Sequence, residues 1–128
     1  MIFYVNKING VMIGRKVPML PIAVIEKQYK GDKGLRAHEI EHIKQYCVLF
    51  VIVGALGSLL TNAAIALVAA MMAHDVAYTV ISKYRCWAEV KAFKKQMQYG
   101  VSIDKAAAAL AEHYRLKLTI EEAKKLLQ

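Results

Sequence analysis

Three hydrophobic patterns follow one another along the chain. Up to about residue 30 the apolar runs are short: Ile2–Val5, Val11–Ile13 and Ile22–Ile25. Asn9-Gly10, a hairpin-type turn signal, separates the first two, and Pro18 and Pro21 interrupt before the third. Runs of this length between turn residues predict strands. From Gly31-Asp32-Lys33-Gly34 the period changes. Asp32 is an N-cap candidate, and Ala37, Ile40 and Ile43 give one apolar flank to a helix predicted over 32–46. Then periodicity gives way to uniform apolarity. Cys47 to Ala73 contains no charged residue, and Gly54 and Gly57 are its small-residue interruptions.

That middle region predicts a helical hairpin over 47–81, turning between Gly57 and Asn62. Gly54, Gly57, Ala63, Ala64, Ala66, Ala69 and Ala70 would let its arms approach closely. Two settings suit it. Either a compact core buries it, or it enters a bilayer with both ends on one side, flanked by basic residues. A helix is predicted over 84–99, anchored by Trp87, Val90 and Phe93 and closed by Gly100 as a C′ residue. Ser102 caps the next helix, whose stripe is Ile103, Ala106, Ala107, Leu110 and Tyr114. Thr119-Ile-Glu-Glu122 reads as a capping box opening the last helix through Leu127, so 102–127 is a C-terminal helical pair. The expected fold class is α+β, mainly α. A single domain, 1–128, would carry short N-terminal strands on a helical core.

The chemistry lies in the first predicted helix. His38-Glu39-Ile40-Glu41-His42 is an H-E-x-x-H sequence. Two histidines four residues apart share one helix face, so both imidazoles can grip one metal ion. Glu39, beside the first, is placed to take a proton from a metal-bound water. A catalytic zinc takes three protein ligands. Of His74, His113 and Glu89, we favour Glu89 as the third, because it stands among apolar neighbours where an unpaired carboxylate is costly. A bland alternative pairs Glu89 with Arg85 or Lys91. His113 falls on the polar side of its helix and reads as solvated. His74, beside Asp75, reads as structural, with oxyanion stabilisation as its functional alternative.

The run Ala37 to Tyr46, with Glu89-Val-Lys-Ala92-Phe93, resembles small gluzincin-like zinc metallopeptidases, short peptidase-type proteins common in bacteria and their phages. The resemblance covers about a quarter of the chain. It implies that His38, His42 and Glu89 hold Zn2+ and that Glu39 is the general base for hydrolysis of peptide or amide bonds. It also implies an edge strand beside the metal helix able to hold an extended peptide, for which Ile22–Tyr29 is the candidate; the alternative for that segment is a strand that merely covers the core. Larger gluzincins place an aspartate four residues after the third ligand. Phe93 stands there instead, so Asp75 becomes the candidate to orient a histidine. Tyr78, Tyr84 and His74 are candidate oxyanion donors.

Composition narrows the partners. The chain has 128 residues, 57% of them hydrophobic, and a formal net charge of +8. Mean hydropathy is +0.30, high for a soluble domain. The charge favours acidic partners, but the lysines and arginines are scattered and no nucleic-acid motif accompanies them. Cys47 and Cys86 have no C-x-x-C spacing and read as reduced core residues. The N-terminus lacks a signal-peptide layout, so the expected location is the cytoplasm or the cytoplasmic face of a membrane. The expected partner is a peptide or protein substrate. A homo-oligomer is the other means of covering so apolar a surface. The competing function is a non-catalytic membrane-associated or virion assembly protein whose H-E-x-x-H holds a structural ion or none.

Overall fold

A computed structural model describes residues 1–8 and 13–128 and has a small three-stranded sheet followed by five α-helices. The strands are β1 (Ile2–Val5), β2 (Gly14–Lys16) and β3 (Ala23–Glu26). The helices are α1 (Lys33–Leu60), α2 (Ala63–Val80), α3 (Ser82–Met97), α4 (Ile103–His113) and α5 (Ile120–Leu127). The fold is α+β, mainly α, as the hydrophobic pattern predicts.

Strand order is the first correction. The sheet runs β1-β3-β2, with β3 parallel to β1 and antiparallel to β2. The Asn9-Gly10 turn, and Val11 and Met12 of the expected second strand, lie outside the described residues. Whatever that turn does, β1 and β2 are not sheet neighbours. The reason is burial: Ala23 and Ile25 of β3 are completely buried, while β1 and β2 are not. The most buried strand takes the centre and pairs on both sides. A centre strand has no free backbone edge, so Ile22–Tyr29 is not the edge strand expected. β2 is, and it packs on α1.

The metal helix does not stop near Tyr46. Asp32 caps it, its carboxylate accepting the Leu35 N–H at 2.8 Å, and α1 continues for 28 residues. Nothing in 47–60 breaks a helix: proline is absent, and the two glycines sit at close contacts. A Cβ on Gly54 would stand 3.6 Å from Ala70 Cβ, and one on Gly57 would stand 3.1 Å from Ala66 Cβ. Thr61 ends α1, and Asn62 caps α2 by accepting the Ile65 N–H at 3.0 Å. The predicted hairpin is therefore present, its first arm continuous with the metal helix.

Its outer surface is bare. Val51 is 66% exposed, Leu59 81% and Leu60 83%, and Val48, Leu56, Ile65, Leu67 and Val68 are also exposed. Only Ala66 and Ala70 are buried between Cys47 and Ala73, against the facing helix. The chain's own core does not enclose the hairpin. That core lies elsewhere, where α3, α4 and α5 bring together Phe93, Ala106, Ala107, Leu110, Ala123 and Leu127. Gly100, at φ +97°, turns the chain from α3 into α4. Thr119 and Glu122 form the capping box of α5. Two expected core residues are not in it. Trp87 is exposed, lying under the Lys91 ammonium at 4.7 Å, and Cys47 is exposed on α1.

Candidate metal centre

α1 and α3 bring His38, His42 and Glu89 together, all buried. His38 Nε2 and His42 Nε2 are 3.2 Å apart. Glu89 Oε2 lies 3.4 Å from the first, and Glu89 Oε1 lies 3.2 Å from the second. A tetrahedral metal with bonds of ~2.0–2.1 Å separates its ligand atoms by about 3.3–3.4 Å; the two nitrogens stand near that spacing, and one ligand atom from each of the three residues lies within 4.8 Å of the others.

The hydrogen bonds turn these nitrogens toward one another. Gln45, one turn after His42 less a residue, donates from Nε2 to the Ala88 carbonyl at 3.1 Å. That fixes its oxygen toward His42 Nδ1, also at 3.1 Å. A carbonyl oxygen only accepts, so Nδ1 carries the proton and Nε2 presents a lone pair. Gln96 Oε1 stands 3.1 Å from His38 Nδ1 and orients that ring the same way. Two lone pairs and a carboxylate converging in a buried space require a proton or a cation among them. The donor set, two imidazoles and one carboxylate, suits a divalent metal such as zinc.

The electrostatics agree. Burial favours the neutral acid of Glu89, yet the imidazoles of His38 and His42 beside it outweigh burial and hold the carboxyl well below the usual range. Burial opposes protonation of His42, but the Glu89 hydrogen bond and charge, with Glu39 behind them, raise its pKa above 6.5. Glu89 Oε1 also accepts from the Tyr78 hydroxyl, whereas its Oε2 has no hydrogen-bond partner.

Glu39 is buried and lines the same pocket as the triad, together with Gly14, Lys16, Pro18, His74 and Tyr114. The pocket holds about 300 Å³. Burial raises the Glu39 pKa, the histidines opposing and Glu89 adding to the shift. Its Oε2 has no partner among the described residues. Its Oε1 faces β2 so closely that a Cβ on Gly14 would come within 2.8 Å. The free-edged strand thus passes directly over this carboxylate.

Several residues occupy other places than expected. Arg85 does not pair with Glu89. It donates to the carbonyls of Tyr78, Thr79 and Tyr114, tying the end of α2 to the end of α4. Asp75 orients neither metal-site histidine. It pairs with Lys16 Nζ at 3.0 Å and accepts the Met19 N–H at 2.6 Å, fastening the segment after β2 to α2. The orienting groups are Gln45 and Gln96. Of the candidate oxyanion donors, Tyr78 is engaged with Glu89 and Tyr84 with His74 Nδ1 at 2.8 Å, while His74 itself lines the pocket. Tyr78 and Tyr114 both line the pocket, Tyr114 assigned from sequence to an apolar stripe. Burial, then the negative charge of Glu89 and Glu39, raises its pKa well above 10, so it stays a hydrogen-bond donor. His113 is exposed on α4. Gln96 and Tyr114 carried no sequence signal, since neither lies at a spacing tied to H-E-x-x-H.

No protein-family model matches the chain, and no curated protein or solved structure matches it significantly.

Proposed function

We propose that the chain is a zinc-dependent hydrolase of peptide or amide bonds, of the gluzincin-like type that its two short sequence stretches resemble. The observation that carries this reading is the pairing of a candidate three-ligand metal set with a second buried carboxylate in one pocket, its Oε2 without a partner among the described residues. A purely structural zinc takes four protein ligands. Three ligands beside an open pocket leave a position for a reactant, which favours the hydrolase over the structural-ion reading.

Bound by His38, His42 and Glu89, a zinc ion would act as a Lewis acid on the scissile carbonyl and make water a stronger nucleophile near neutral pH. Glu39 then takes the proton of the attacking water. Its raised pKa suits both halves of the task, acceptance and later delivery to the leaving amine. Tyr114 supplies a hydroxyl donor to the pocket for the developing oxyanion. Gln45 and Gln96 hold the two imidazoles with Nε2 inward. β2 offers an unpaired backbone edge beside Glu39, along which an extended peptide can add as a further strand.

The test is Glu39→Gln. The variant should keep stoichiometric zinc by elemental analysis while cleavage of a quenched-fluorescence peptide library falls by about 10²–10⁴-fold. His42→Ala should lose the metal as well. A Glu39→Gln protein that cleaves as fast as wild type would overturn the mechanism.

A further inference from the structure

We propose that the α1–α2 hairpin is a membrane-insertion element, with Cys47–Ala73 entering a lipid bilayer tip first from one side and holding the metal centre at headgroup level. This inference stands whether or not the site is catalytic.

Four observations converge on lipid as the occupant. First, exposure follows the whole outer surface of the hairpin. Val48, Val51, Ile52, Leu56 and Leu59 cover the side of α1 turned from α2, and Ile65, Leu67, Val68 and Met72 cover α2. A second protein copy would cover one face, whereas a bilayer surrounds both helices.

Second, polarity is confined to one end. Between Cys47 and Ala73 the hydroxyl and amide side chains are Ser58, Thr61 and Asn62, all at the tip. Each makes a hydrogen bond within the hairpin: Ser58 donates to Ala55 O, Thr61 to Gly57 O, and Asn62 Oδ1 accepts from Ile65 N.

Third, the dimensions suit re-entry. From Cys47 to Leu60 a helix rises about 21 Å, past the midplane of a hydrocarbon layer ~30 Å thick and short of its far side. Both ends therefore stay on the entry side. His42 lies about 7–8 Å along the same helix from Cys47, outside the charge-free segment.

Fourth, the base has the composition of a membrane interface. Tyr84 bonds His74, and Gln45 bonds the Ala88 carbonyl, so the start of α3 is held level with the foot of the hairpin. At that level Trp87 is exposed with Lys91 over its ring, and Lys44 and Lys83 are exposed beside them. Amphipathic aromatics and cations favour the headgroup region, and a net charge of +8 favours anionic lipid.

The full-length chain, with Cys47 and Cys86 changed to Ser, would carry one cysteine at Leu56→Cys or at Glu112→Cys for an environment-sensitive fluorophore. The probe membrane is a phosphatidylcholine–phosphatidylglycerol vesicle containing acyl-chain-brominated lipid. The protein should float with vesicles and remain bound through high-salt and alkaline carbonate washes. The label at position 56 should be quenched several-fold more than the label at 112. The triple variant Val51→Lys, Leu56→Lys, Val68→Lys alters residues that are more than half exposed, so it should fold and cease to float. Release by salt alone would mean surface adsorption and overturn the proposal. So would a wild-type chain soluble and monodisperse without detergent, as monomer or oligomer, or a position-56 label shielded from brominated lipid.

Discussion

Single side chains decide whether the proposed metal centre works, and their effects separate. Gln45 is buried and bridges His42 to the Ala88 carbonyl. Gln45→Ala should weaken zinc binding about 10–100-fold in chelator competition, the usual result of deleting such an orienting group. Gly14→Ala touches no ligand but would place a methyl group 2.8 Å from Glu39 Oε1. Metal content should stay at wild-type level while turnover falls at least tenfold, because the carboxylate must move. Zinc must also displace the proton that the raised pKa of His42 retains. Below that pKa, binding releases a proton and affinity drops as pH falls; above it, the imidazole is already neutral and the release vanishes. Calorimetry in two buffers of different ionisation enthalpy should show this pattern. His38, Glu39 and His42 were legible because their relation is local, set by one helical turn. Gln96 and Tyr114 were not, because α3 and α4 deliver them through packing.

Among the elements, the hairpin is the most sharply specified. The arms approach closely at Gly57, where a Cβ would stand 3.1 Å from Ala66 Cβ and 3.3 Å from Ala66 Cα. Gly57→Val should push the arms apart and lower stability by about 1–3 kcal/mol. Gly31→Ala, where a Cβ meets nothing within 4 Å, should be near neutral by thermal unfolding. The helices were readable from caps and period: Asp32, Asn62, Ser102 and Thr119 each cap a helix through the side chain. Asp32, Ser102 and Thr119 were recognised in advance. The sheet was not readable in the same way. Strand runs can be seen in sequence, but partner choice depends on which strand the rest of the molecule buries, and that is a tertiary decision. Trp87 failed for a related reason. Its spacing fits the inner face of α3, yet only Ala88, Glu89, Ala92 and Phe93 of that helix are buried.

At the level of the whole molecule, the triad ties α1 to α3, outside the main cluster built by α3, α4 and α5. Metal binding should therefore add to global stability. At a free zinc concentration about 1,000 times the dissociation constant, the gain is ~4 kcal/mol, read as a rise in melting temperature that a chelator reverses. His42→Ala should abolish this response.

One further consequence follows from α1 being unbroken from Lys33 to Leu60. The two imidazoles and the apolar blade ride on a single rod with no hinge between them. Whatever grips the far half, thick or thin, ordered or fluid, tilts the near half by the same angle. The cleft is thereby coupled mechanically to its surroundings.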